Sequence, residues 1–202
     1  FLLYFQVLTA GFSRLGLTSG QVFLVIMASF FGSSINIPVK ELTSKQKKDV
    51  SFPSFLGISY RVPVRRQRKT VLAVNVGGCV VPLLVSVYIM ANQPHIIPSA
   101  LVCVGMASAI IYFLSRPVEG VGVATPFFAP PLLSALLAIV LSPDKAAPPV
   151  AYVTGSLGTL LGADIYNLKA IARLGAPVAS IGGAGTWDGI FLAGLLASLL
   201  AF

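Results

Sequence analysis

Outside residues 40–69, the chain carries nine charged side chains in 172 residues. A water-soluble fold spreads charge over its surface, using roughly a quarter of its residues. Here the charged share is 10%, the hydrophobic share 56% and the mean hydropathy +0.90. That balance excludes a soluble globular domain, a disordered tail and a coiled coil. It leaves an all-α fold class, a polytopic transmembrane helix bundle forming a single integral membrane domain over residues 1–202.

A span takes about 20 apolar residues. Seven hydrophobic segments qualify or nearly do, at about 1–12, 19–37, 71–91, 97–115, 123–142, 148–168 and 185–202. The chain starts at Phe1, and the short first segment is expected to be the tail of a helix that begins earlier. Segment five contains Pro126 and Pro130-Pro131. Proline removes an amide donor and clashes with the carbonyl four residues back, so this segment should break around 126–131, with freed carbonyls facing protein or water.

The cations set the expected topology. Nine of the 14 lie between Lys40 and Lys69, beside only Glu41 and Asp49, so this stretch holds +7 of the +8 net charge. If the 38–70 loop is cytoplasmic, Arg116, Lys169 and Arg173 fall on the same side, giving twelve cations there against Arg14 and Lys145 opposite. Lys/Arg excess marks the cytoplasmic face, so the C-terminus is expected outside. The loop should rest on anionic lipid headgroups through Arg61, Arg65, Arg66, Arg68 and Lys69. Alternatively, residues 35–39 and 71–75 could pair as short strands at its base. Nucleic acid is not an expected partner, because the loop has no interleaved aromatic platform.

Few side chains can carry chemistry. His95 is the single histidine, and Cys79 and Cys103 sit in apolar runs. That rules out the two-histidine zinc motif, haem held by paired histidines and a serine nucleophile with a nearby His base. No metal and no cofactor are expected. Of six acids, Asp164 and Asp188 lie in apolar, glycine-rich surroundings, where a carboxylate is costly and marks a functional site by default. Each is 12 residues from Ala176, in the turn-like triplet Gly175-Ala176-Pro177. On two antiparallel helices they would sit at matched depth. Helical phase sets Asp164 opposite the Gly155, Gly158, Gly162 stripe, so whether the carboxylates meet depends on which helices the stripes pack against. Asn36, Asn75 and Asn167 are further candidate polar contacts.

Three functions fit. A carrier or channel-like protein would bind a proton or cation at Asp164 and Asp188. An intramembrane aspartyl hydrolase would use them as a dyad sharing one proton to activate water. A structural membrane scaffold would use each to cap backbone donors or to pair with Lys169, Arg173 or Arg116.

Several stretches carry a family likeness: Gly32-Ser33-Ser34-Ile35-Asn36-Ile37-Pro38-Val39, Ala73-Val74-Asn75-Val76-Gly77-Gly78, Arg116-Pro117-Val118-Glu119-Gly120-Val121-Gly122, Leu161-Gly162-Ala163-Asp164 and residues 179–191 around Trp187-Asp188-Gly189. In order, they resemble a family of prokaryotic multi-pass membrane proteins, the domain of unknown function 1614. The resemblance implies the plasma membrane of a prokaryote and no assigned activity. Gly162-Ala163-Asp164 is also loosely similar to the Gly-x-Gly-Asp of presenilin-like intramembrane aspartyl proteases, with Ala129-Pro130-Pro131-Leu132 in place of their Pro-Ala-Leu element.

The cation count makes the topology testable by cysteine labelling in intact cells. Probes at 40–69 and at position 173 should react only from the cytoplasm, and probes at 95, 144 and the C-terminus only from outside. Labelling of 40–69 from outside would overturn the map.

Overall fold

The structure is a computed structural model that describes residues 12, 14–52, 60–118, 122–143, 146–174, 177–183 and 189–201, with backbone alone at 44–52, 60–68, 122 and 172–174. Of segment one, residues 1–11 lie outside the described residues, as do Glu119, Asp144, Lys145, Trp187 and Asp188. The helices are α1 (Ser19–Gly32), α2 (Val81–Asn92), α3 (Ile97–Leu114), α4 (Ala129–Leu141), α5 (Ala147–Thr159), α6 (Leu168–Leu174) and α7 (Gly189–Leu200). The strands are β1 (Asn36–Phe52), β2 (Tyr60–Asn75), β3 (Arg116–Val118), β4 (Gly122–Ala124) and β5 (Val178–Ile181). Two π-turns interrupt the regular helices, at Val76–Val80 before α2 and at Leu160–Ile165 after α5.

Local chemistry explains where the helices start. Thr18 caps α1 in a reciprocal box with Gln21, which satisfies two amide donors that a helix start leaves open. Four others carry proline in the first turn: Pro82, Pro98, Pro130-Pro131 and Pro148-Pro149. A missing N–H costs nothing there. The break expected in segment five is therefore a helix start. The chain runs as β4, turns at Phe127 and Phe128, and becomes helical at Ala129.

Helix α5 is the centre of the bundle. It packs against α2, α3, α4 and α7, and ten of its thirteen residues are buried. The core gathers Phe12, Ile89, Ile96, Ile111, Tyr152, Val153, Phe191 and Leu195. The glycine stripe splits its contacts. Gly155 meets Ala193 and Gly194 of α7, while Gly158 and Gly162 meet Ala107, Ser108 and Ile111 of α3.

Three expectations need correction. The fold is mainly helical but not all-α. The 38–70 stretch is a β-hairpin with continuous pairing from Asn36↔Asn75 to Phe52↔Tyr60 and a bulge between Pro38 and Lys40. β-branched residues at its base, Ile35, Ile37, Val39, Val71 and Val74, favour pleated pairing, and Pro38 sits where a strand tolerates proline, at an edge and a bulge. Second, one described helical stretch, Pro94–Leu114 at 21 residues, has the length and apolarity to cross a membrane. The other apolar helices have 10–17 residues, because several expected spans end in strand or π-turn. Third, residues 164 and 188 are not joined by a helical hairpin. α6 and then β5 intervene, with β5 running parallel to β2 from Val71↔Val178 to Val74↔Ile181. Pro177 ends helical propagation, and Val178 and Ile181 complete a sheet ordered β1-β2-β5.

The junction of sheet and bundle is close-packed. A Cβ on Gly77 would overlap the backbone of Ser29 and Ser33 in and after α1. Gly182 has φ +85°, and a Cβ there would sit 2.7 Å from the Cys79 backbone nitrogen. Gly77→Ala and Gly182→Ala should each lose about 1–3 kcal/mol, read as a lower melting temperature in detergent. Gly105→Ala, with nothing within 4 Å of its Cβ, should melt like the parent or slightly higher.

Candidate functional site

Asp164 lies in the second π-turn, and such turns gather at functional sites. Its side chain is half-buried. Oδ2 accepts the backbone N–H of Gly182 at 2.9 Å, which ties the end of β5 to the end of α5. The adjoining cavity, about 210 Å³, is lined by Thr125, Phe127, Thr159, Asp164, Gly189 and Ile190 among others. A second cavity of about 530 Å³ shares Thr125 and Pro126 with it and reaches the exposed Arg116.

Two hydroxyls complete the polar lining. Ser115 donates to the Ile111 carbonyl at 2.7 Å. Its single proton is thereby used, so in the 2.8 Å Ser115–Thr125 contact Thr125 is the donor, and its lone pairs remain available. Thr159 Oγ1 is buried with no hydrogen-bond partner. A carboxylate and two hydroxyl acceptors suit a proton or small cation. Among the described residues no group of three or more His, Cys, Asp or Glu could hold a metal ion.

The asparagines do other work here. Asn75 is fully buried and uses both ends of its amide, donating to the Ser33 carbonyl at 2.7 Å and to Asn36 Oδ1 at 3.2 Å and accepting from Gly78 N–H at 2.8 Å. Ser180 donates to the same Asn36 oxygen at 2.6 Å. Asn167 donates to the Gly162 and Ala163 carbonyls at 3.1 and 3.0 Å, which the π-turn leaves without regular partners. These contacts fix backbone, and only Asp164 of the described candidates lines the cavity. Asp188 lies outside the described residues, and the chain's next residue, Gly189, lines the cavity.

Of the basic candidates, Lys69 is exposed and forms a 3.5 Å ion pair with Glu41. Arg61, Arg65, Arg66 and Arg68 stand in β2 opposite Ser51, Lys47, Gln46 and Ser44. Sequence reasoning missed Thr125 and Thr159. A polar residue every three to four positions on the apolar α5, at Tyr152, Ser156 and Thr159, was the signal for the second.

If Asp164 anchors Gly182 as the geometry indicates, Asp164→Ala should lower stability by about 1–3 kcal/mol. Asp164→Asn, which keeps an acceptor oxygen, should cost less. Chemical denaturation in detergent distinguishes the two.

No curated protein and no solved structure matches the chain, and nothing in these comparisons connects it to presenilin-like proteases. The family model described as "Protein of unknown function (DUF1614)" matches residues 30–200, so the chain belongs to that family.

Proposed function

We propose that this chain is a multi-pass protein of a prokaryotic plasma membrane that carries a proton or small cation on Asp164. The distribution of polarity supports the membrane setting. Leu24, Leu84, Leu101, Phe113, Leu136 and Val140 are each 60–81% exposed, while Ser86, Ser108, Ser134, Thr154, Ser156 and Ser198 are buried. An apolar exterior of that extent suits lipid. The hairpin, at +7 over 40–69, suits anionic headgroups at the cytoplasmic face.

The observation that carries the function is the cavity where Asp164 meets two hydroxyls beside irregular backbone. Irregular backbone at membrane depth occurs where it lines a cavity, and intramembrane carboxylates mark ion pathways. The hydrolase is a second reading, favoured by one observation. Gly189, which follows Asp188 in the chain, borders the cavity of Asp164, so two carboxylates sharing it would form a dyad.

Reconstitution into liposomes with imposed pH and cation gradients tests the carrier. The parent should dissipate at least one gradient, and Asp164→Asn should be at least tenfold slower at equal insertion. Transport by the parent no faster than in empty liposomes would sink the proposal. Cleavage of a transmembrane peptide, lost in both Asp→Asn variants, would favour the hydrolase instead.

A further inference from the structure

Four buried hydroxyl oxygens on α5 lack a well-formed hydrogen bond, Tyr152 Oη, Thr154 Oγ1, Ser156 Oγ and Thr159 Oγ1, with Tyr152 interacting with Ser156 and Thr154 with Cys103. Three of them, at 152, 156 and 159, fall within a 60° arc of one helix face at 100° per residue. Thr154 lies on the opposite face. The stripe begins at Thr159, which shares the cavity with Asp164, and runs about 10 Å into the bundle at 1.5 Å per residue. Its next member, Ser156, faces Gly194 of α7, where a Cβ would collide with the Ser156 hydroxyl and stand 3.1 Å from the Tyr152 carbonyl. At Tyr152 the stripe is closed, its ring 5.9 Å from Phe12, which in turn stacks 6.0 Å from Phe191.

A core otherwise made of Val150, Ala151, Val153, Phe191 and Leu195 would be more stable with apolar side chains at these positions, since an unpaired buried hydroxyl is costly. Resting on the carrier reading, we propose that the ion handled at Asp164 is the proton, and that the hydroxyls of Thr159, Ser156 and Tyr152 relay it between the cavity and the centre of the bundle. A hydroxyl is donor and acceptor at once. Each accepts a proton on a lone pair and releases its own to the next, with water bridging neighbours, so one positive charge moves and no bond order changes. Buried water takes up such orphaned groups. A metal cation finds too little there. One oxygen per turn among apolar neighbours cannot replace a hydration shell, and divalent ions take six to eight oxygens. Among the described residues lining the cavity Asp164 is the titratable one. Arg116 lines the neighbouring cavity, which shares Thr125 and Pro126 with this one. Phe12 closes the far end in this conformation, so passage requires that ring to move.

The test uses the full chain in liposomes loaded with a pH-sensitive dye, the membrane potential clamped with valinomycin and potassium, and sodium flux measured separately. Proton flux should fall at least tenfold in Thr159→Val, Ser156→Ala and Tyr152→Phe. It should persist in Thr159→Ser and in Ser86→Ala, whose hydroxyl is bonded to the Pro82 carbonyl away from the stripe. Removing an unpartnered hydroxyl should leave the melting temperature equal or higher, so flux falls while stability does not, which a purely structural role would not produce. Asp164-dependent sodium flux unchanged by the three variants would overturn the proton relay and leave the carrier standing. No flux of any cation in the parent would remove both.

Discussion

Gly182 is the joint on which the fold turns. Its N–H is held by Asp164 in one π-turn, and a Cβ on it would strike Cys79 in the other. Two residues earlier, Ser180 bonds Asn36, which Asn75 also holds, and Asn75 caps the first π-turn through Gly78. β5 and the glycine that follows it thus connect sheet, α1, α2 and α5. A positive φ with so little space excludes any side chain at 182. The close approach of Gly77 to α1 sets the same requirement on the other flank.

The polar groups at this joint are satisfied, and those of α5 are not. Asn75, Asn36, Ser33 and Ser180 form a closed hydrogen-bonded set, the kind of buried network that fixes one arrangement of backbone. Ser29, Ser86 and Ser198 turn their hydroxyls onto carbonyls. Tyr152, Ser156 and Thr159 do neither. Thr70, Ser134 and Thr154 also lack a well-formed hydrogen bond, but Tyr152, Ser156 and Thr159 alone of these six share one face of α5 that leads to the cavity at Asp164.

Much of this was readable in the sequence, for specific reasons. The scarcity of charge predicted an all-α transmembrane bundle, of which the mainly helical fold is the part the structure bears out, and Asp164 stood out because an isolated carboxylate in an apolar stretch is rare. The pairing at the loop's base was an open alternative for residues 35–39 and 71–75, and the β-branched residues there favour it. The hairpin beyond that base was hidden, because a run of Lys and Arg resembles a solvated loop whatever its backbone does. The π-turns were hidden too, since one extra residue in a helical turn leaves no compositional trace. That shift spoiled the phase argument for Asp164, which assumed 100° per residue through a turn that does not keep it. The prolines of α4 marked a boundary correctly, yet their place in the first helical turn required knowing that β4 preceded them.

A carboxylate that holds a structural hydrogen bond cannot change its charge without changing that bond. Ionised, Asp164 makes a charge-assisted contact with Gly182 N–H, roughly twice as strong as a neutral one. A proton or cation on the same group competes for its lone pairs and weakens the contact. The coupling is reciprocal by linkage. Whatever loosens the Gly182 joint and whatever changes the charge on Asp164 therefore act on the same contact. Gly182 abuts the turn that starts α2 and follows the strand that completes the sheet, so under the carrier proposal occupancy of the cavity would be linked to the setting of the elements around it.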